Sequence, residues 1–169
     1  YTSAISACGK GRQWQVALSL LSDMPENRVR PNEISYNAVI SACEKGGQWQ
    51  IALCILRGMP ELMVTPSTVT FNAAISAVGL GGEWLMALSL LSSMPKRQAK
   101  ANTISYNAAI NACAQGGQWQ VALSIVSSMP DMSATPNEIS FSACISACEK
   151  VGQWQVALGL LASMREMRA

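Results

Sequence analysis

The stretch that decides the fold is residues 33–67, EISYNAVISACEKGGQWQIALCILRGMPELMVTPS. Its first part places Tyr36, Ile40 and Cys43 at positions i, i+4 and i+7, which is the apolar stripe of an amphipathic helix. We call this predicted helix helix A. Ala38 and Ala42 in the same segment are small enough to let a second helix approach closely. The segment therefore predicts one member of a tightly packed helix pair.

The rest of the stretch predicts the other member of the pair. Gly46-Gly47 interrupts the helical pattern, and Trp49, Leu53 and Leu56 then recur at helical spacing. We expect this second helix, helix B, to stop at Met59, because the proline that follows disfavours helical geometry in the residue before it. The unit is a helix-turn-helix pair.

The same unit recurs along all 169 residues with a period of 35. Near-copies of the motif Gly-Gln-Trp-Gln-x-Ala-Leu mark it at Trp14, Trp49, Trp84, Trp119 and Trp154. A fixed period of this length is typical of a solenoid, in which each unit stacks on its neighbours. We interpret the tryptophans as packing residues that fill the gaps between repeats.

We therefore expect an all-α, right-handed α-α superhelical solenoid of about five helix-turn-helix repeats. The predicted repeats are residues 1–32 (partial), 33–67, 68–102, 103–137 and 138–169 (partial). Tyr1 lies partway into a repeat and Ala169 comes before the end of one, so we expect a fragment of a longer array. No targeting peptide is visible, which is uninformative in a fragment. No apolar run approaches the roughly 18 residues that span a bilayer, so no membrane association is expected.

The six cysteines are interpreted as packing residues. Four of them share one repeat position: Cys8, Cys43, Cys113 and Cys148. Val78 fills that position in the third repeat, which indicates a small apolar residue rather than a ligand. Cys144 and Cys148 have a spacing that a soft metal would accept, but the chain has no histidine and no paired cysteine clusters. We therefore expect no metal and no cofactor.

Other composition features exclude some function classes. No phosphate-binding glycine loop and no acidic pair that breaks the repeat are present, so the chain is not expected to be an enzyme. Charged residues make up 13% of the chain, against about 25% in an ordinary globular domain. The formal net charge of +2 is low for a nucleic-acid-binding module.

The pattern resembles the P-type pentatricopeptide repeat (PPR) family. The resemblance rests on Tyr36-Asn-Ala-Val-Ile40 in helix A, the Gly-x-x-x-x-Ala-Leu turn into helix B, and Arg30-Pro31-Asn32 before the next repeat. It extends over the whole chain. The related tetratricopeptide repeat has a 34-residue period and a different pattern of conserved positions. The tryptophan of helix B and the proline after the helix B methionine depart from the family pattern and concern packing.

The resemblance implies binding of single-stranded RNA, with one base read by two residues of each repeat. The first reader follows the helix A aromatic: Thr2, Asn37, Asn72, Asn107 and Ser142. The second precedes the next repeat: Asn32, Ser67, Asn102 and Asn137. Aliphatic residues that sandwich the bases are implied three positions before the first readers: Ile34, Val69, Ile104 and Ile139. Lysines that contact phosphate are implied at the end of helix A: Lys10, Lys45 and Lys150. Leu80 and Gln115 occupy this last position in the other repeats.

The family code implies a target sequence when it is applied repeat by repeat. Thr2 with Asn32 resembles an adenine reader, and Asn37 with Ser67 suits cytosine. The two Asn-Asn pairs suit pyrimidines, and Ser142 suits a purine. The implied RNA core is 5′-A-C-Y-Y-R. The family also implies a role in organellar RNA processing, stability, translation or editing, in mitochondria or plastids. Other RNA-processing proteins are a further class of partner that the resemblance implies.

Each implied role has a structural alternative. The second readers stand where Asn and Ser are favoured as helix N-caps. The aliphatic residues are also suited to packing between repeats, and the lysines to solvated turns. The first readers are harder to explain in this way, because Asn inside a helix costs roughly half a kcal/mol relative to Ala. The main alternative function is a helical-repeat scaffold for protein–protein interaction, which would explain the low basicity.

Overall fold

The computed structural model describes residues 1–166. Within this range the chain forms ten α-helices, which are α1 (Thr2–Lys10), α2 (Trp14–Glu26), α3 (Glu33–Lys45), α4 (Trp49–Gly58), α5 (Thr68–Leu80), α6 (Trp84–Ser93), α7 (Thr103–Gln115), α8 (Trp119–Ser128), α9 (Glu138–Lys150) and α10 (Trp154–Glu166). No strand occurs among these residues. Odd-numbered helices are helix A of a repeat and even-numbered helices are helix B. The predicted all-α solenoid of helix-turn-helix repeats is confirmed.

The helices form two layers. Each helix A packs against helix A of the next repeat, and each helix B packs against its own helix A and the next one. Helices B of neighbouring repeats do not pack against one another in the described part of the chain. The A helices therefore form a continuous inner layer along the stack, and one face of that layer is available to a ligand.

Helix A begins at a side-chain cap in four repeats. The residues at these caps are Asn32, Ser67, Asn102 and Asn137. Each forms a capping box with the Ser or Thr three positions later, which satisfies backbone N–H groups that a helix start leaves unpaired. In the middle three repeats helix A ends at a glycine pair, and Gly47 in the first of these has a φ of +70° that side-chain-bearing residues rarely adopt.

The proline after helix B acts differently from one repeat to the next. Helix α4 ends at Gly58, and Pro60 opens a short 3-10 turn, Pro60–Leu62. In the first repeat, α2 instead continues through Pro25 to Glu26, so the prediction that the helix stops before this proline is wrong there. The φ of proline is compatible with a helix, and a proline in the last turn removes only one backbone N–H hydrogen bond. The helix can therefore continue through Pro25.

The tryptophans pack between repeats, as predicted. The ring of Trp14 lies over Gly46 of the next repeat so closely that a Cβ on this glycine would be 2.5 Å from the indole Cδ1. Trp49 and Trp84 lie over the corresponding glycines of the following repeats. Trp154, which has no described repeat beyond it, is 65% exposed. Each of these three contacts places an aromatic ring against a glycine turn of the next repeat.

The cysteines are largely buried in this stack. Cys43, Cys113, Cys144 and Cys148 are buried, whereas Cys54 is exposed. Burial raises the pKa of the Cys43 and Cys113 thiols to about 11, and that of Cys144 to about 12. Across residues 1–166, no group of three or more His, Cys, Asp or Glu side chains is arranged to hold a metal ion. None of the described helices has the length and hydropathy needed to cross a membrane.

Candidate nucleic-acid interface

A groove of about 750 Å³ runs along the inner layer over α3, α5, α7 and α9. Its lining includes one polar residue per repeat at the position after the helix A aromatic: Asn37, Asn72, Asn107 and Ser142. It also includes the aliphatic residues three positions before the last three of these: Val69, Ile104 and Ile139. The structure therefore brings most members of two of the sets implied by the resemblance into one surface. Thr2 and Ile34 do not line this groove.

The aliphatic residues are unusually exposed. Ile34, Ile104 and Ile139 are each 64% exposed, and Val69 is 61% exposed. Equal exposure at equivalent positions shows that their orientation is a property of the repeat. Packing between repeats does not account for these side chains, because most of their surface is in contact with solvent. The row is an apolar surface available for a flat ligand group.

The second readers cap helix A, which is the structural alternative considered for them. The side-chain oxygens of Asn32, Asn102 and Asn137 accept hydrogen bonds at 3.0–3.1 Å from the backbone N–H of the serine three positions later. These three asparagines are exposed at the surface. Capping uses only the amide oxygen, so the amide nitrogen remains able to donate to a ligand. Ser67 caps α5 through its hydroxyl, which accepts from Val69 N–H at 3.2 Å.

The first readers make hydrogen bonds that the sequence analysis missed. The Asn72 Oδ1 atom accepts from the Ser105 hydroxyl at 2.6 Å, and the Asn107 Oδ1 atom accepts from the Ser140 hydroxyl at 2.5 Å. Asn37 differs, since its Nδ2 donates to Glu33 Oε1 at 3.3 Å. The sequence does contain a pattern that could have predicted these bonds. A hydroxyl residue recurs at the third position of the second to fifth repeats: Ser35, Thr70, Ser105 and Ser140.

A second polar row also escaped the sequence analysis. Ser41, Ser76 and Asn111 line the groove one helical turn after the first readers. The Ser76 hydroxyl donates to Glu44 Oε1 at 2.5 Å, and Glu44 lies in the same groove. One wall of the groove thus carries a carboxylate, which disfavours a phosphate at that point.

The three lysines lie at the carboxyl ends of their A helices and are exposed. None of them lines the groove. The Lys150 Nζ atom donates to Gln115 Oε1 at 2.6 Å, which joins equivalent positions of neighbouring repeats. Basic charge in this region is therefore present at the edge of the inner layer rather than in its centre.

Comparison with protein families identifies this architecture. A model described as the PPR repeat family matches residues 1–45, 66–115 and 101–150, and a PPR repeat model matches residues 34–64 and 139–168. The chain belongs to the pentatricopeptide repeat family. No curated protein matches the sequence of this PPR chain.

Solved PPR structures share the fold. The PPR domain of Arabidopsis thaliana protein-only RNase P 1, determined in complex with tRNA, has a TM-score of 0.78 at 18% identity, with 99% of this chain and 88% of that chain covered. The maize protein PPR10 has a TM-score of 0.80 at 26% identity, with 99% and 24% covered. PPR10 in complex with an 18-nt psaJ RNA element has a TM-score of 0.64 at 19% identity, with 98% and 29% covered. This PPR array spans about a quarter of the maize PPR10 chain.

Proposed function

We propose that this PPR array binds single-stranded RNA and reads one base per repeat. The observation that carries the proposal is the exposed aliphatic row, Ile34, Val69, Ile104 and Ile139, beside a row of amide and hydroxyl side chains. Removing exposed apolar surface from water is favourable, and the flat faces of unstacked bases are suited to cover this row. The neighbouring polar groups supply the hydrogen bonds that distinguish one base edge from another.

The proposed readers are paired across the boundary between repeats. Asn107 and Asn137 illustrate the pairing, since the Asn107 Nδ2 atom donates to Asn137 Oδ1 at 3.1 Å although 30 residues separate them. Two side chains that are this close can contact one base together. The proposed core is 5′-A-C-Y-Y-R, read in parallel with the chain from the first repeat. PPR10, which has the same fold, is seen in complex with an 18-nt RNA element.

The proposal assigns this chain a binding role and no catalysis. Lys10, Lys45 and Lys150 would contact phosphates at the edge of the groove, and binding by this short, weakly charged array would be modest. By family resemblance, the chain would act in organellar RNA processing, stability, translation or editing, in a mitochondrion or plastid.

Fluorescence anisotropy at low salt tests the proposal directly. The labelled RNAs are an oligonucleotide that contains A-C-Y-Y-R and a scrambled sequence of the same composition. We expect tighter binding to the first. Equal affinity for both RNAs would refute base reading, and no binding to either would favour the protein scaffold.

The register of the code is tested with Asn37→Thr. This change should shift selection at the second base from pyrimidine to purine in a randomised-RNA binding assay. Gln50→Thr is the matched control, because it introduces the same side chain at an exposed position of α4, outside the groove. Unchanged selection in Asn37→Thr would contradict the assignment of this residue.

A further inference from the structure

We infer that Ser105 and Ser140 are positioning residues that orient the base-reading amides of the preceding repeats. The inference rests on the proposed RNA-reading function and extends it to side chains that do not touch the RNA. Both serines are fully buried, at 0% exposure, in the first turns of α7 and α9. They therefore act through their neighbours rather than through direct contact with a base.

Ser105 joins the two residues proposed to read the third base. Its hydroxyl oxygen lies 2.6 Å from Asn72 Oδ1 on the preceding helix A and 3.1 Å from Asn102 Oδ1 at the cap of its own helix. The backbone N–H of Asn102 donates to the same hydroxyl at 3.1 Å. One buried atom thus connects two readers that belong to different helices.

Ser140 repeats this arrangement for the fourth base. Its hydroxyl oxygen lies 2.5 Å from Asn107 Oδ1 and 3.1 Å from Asn137 Oδ1. The Asn137 N–H donates to it at 3.1 Å. Two occurrences with closely matching distances show that the bridge is a feature of the repeat when serine occupies this position.

The chemistry of the hydroxyl decides which way the amide faces. A serine hydroxyl has a single hydrogen, which goes to the nearer acceptor, Asn72 Oδ1 in one repeat and Asn107 Oδ1 in the next. The amide oxygen is thereby held toward the buried serine, and the amide nitrogen is left to donate elsewhere. Asn107 uses one of its two N–H groups on Asn137 Oδ1, and the other remains for a ligand. Asn102 and Asn137 have their oxygens held by capping bonds in the same way. Each pair therefore offers N–H donors to a base and selects an edge that carries acceptors.

The second repeat shows what happens without this serine. Thr70 occupies the position, and its hydroxyl interacts with Ser67, accepting from the Ser67 N–H at 3.1 Å. The Asn37 Oδ1 atom is buried and has no hydrogen-bond partner among the described residues. The Asn37 amide nitrogen turns to Glu33 instead. The reader of the second base therefore lacks the bond that orients its counterparts.

The test compares Ser105→Ala with Ser35→Ala. Ser35 forms the same capping box with Asn32, but the residue at the bridged position of the preceding repeat is Thr2, which has no amide. The two variants lose equivalent capping bonds, and only Ser105→Ala loses a bridge to a base reader. The loss of stability that comes from the cap is thereby matched between them.

The first measurement uses the free protein and no RNA. In two-dimensional NMR spectra, the side-chain NH₂ signals of Asn72 should shift in Ser105→Ala and stay in place in Ser35→Ala. Unchanged Asn72 signals in Ser105→Ala would overturn the inference. This result is independent of whether the chain binds RNA, so it separates failure of the positioning role from failure of the proposed function.

The second measurement is base selectivity by anisotropy. Ser105→Ala should reduce the ratio of affinities for pyrimidine and purine at the third base by about three- to tenfold, the effect of one lost hydrogen bond, and leave the other bases unaffected. If the native chain is selective and Ser105→Ala leaves third-base selectivity unchanged, or if Ser35→Ala lowers it equally, the positioning role is wrong.

Discussion

Gly81 lies at the turn between α5 and α6, directly beneath the indole of Trp49 from the preceding repeat. A Cβ at this position would be 2.3 Å from Trp49 Cδ1, 2.7 Å from Nε1 and 2.9 Å from Cγ. These atoms belong to a rigid ring near its attachment point, so the whole side chain or the turn would have to move. The φ of Gly81 is −77°, which alanine adopts without strain, so the steric contact alone decides the outcome.

We therefore expect Gly81→Ala to lower the free energy of unfolding by about 1–3 kcal/mol, the usual effect of overpacking a well-packed site. Urea unfolding followed by far-UV circular dichroism and by tryptophan fluorescence measures the change. Two probes are needed, because a repeat array can lose one end before the other.

Gly11→Ala is the matched control. Gly11 occupies the same turn in the first repeat with a φ of −83°, and the nearest contact of an added Cβ is the Cys8 carbonyl oxygen at 3.6 Å rather than a tryptophan ring. This variant should change stability by less than about 0.5 kcal/mol, as ordinary surface substitutions do. The penalty of Gly81→Ala should also shrink in a Trp49→Leu background, since the two sites are coupled. Equal stability of Gly81→Ala and Gly11→Ala would refute the steric argument.

Two further predictions concern charge and thiol chemistry. A plot of the logarithm of RNA affinity against the logarithm of salt concentration should have a slope of about −2 for three phosphate contacts. Lys45→Gln should reduce the magnitude of this slope by about 0.7. If salt titrations give the same slope for both proteins, Lys45 does not contact the RNA. A thiol reagent near neutral pH should modify exposed Cys54 and spare native Cys43 and Cys144. Burial raises the pKa of these two thiols to about 11 and about 12, so the reactive thiolate is scarce until the pH approaches those values. Rapid labelling of Cys43 in the folded protein, detected by mass spectrometry, would contradict this.

Much of the fold was predictable from the sequence because its determinants are local. Apolar residues at helical spacing, the glycine pair and the cap residues act over a few positions, and α3 begins at Glu33 directly after Asn32, as the capping pattern indicates. The fate of helix B at the proline was not predictable, since α2 passes through Pro25 whereas α4 gives way to a 3-10 turn at Pro60. Both backbone paths are compatible with proline.

The candidate site was predictable in part. The period identified Asn37, Asn72 and Asn107 as one series, and the structure places all three in one groove. The sequence left open whether residues such as Val69 pack between repeats, and their exposure in the structure decides against it. Neither Glu44 in the groove nor the buried serines were expected, because nothing in the linear pattern specifies which side chains from adjacent helices meet.

By itself, the sequence determined the repeat, the helix pairs and the register of the polar series, since each depends on the order of residues within one 35-residue unit. Only the tertiary structure decided which groups those polar residues contact. Ser105 and Asn72 are 33 residues apart, and their 2.6 Å hydrogen bond depends on the offset between two stacked helices. Where Thr70 stands in the equivalent place, Asn37 Oδ1 is buried without a partner among the residues that the structure describes. Hydrogen bonds require alignment within a few tenths of an ångström, and helix packing, rather than local sequence, sets distances on that scale.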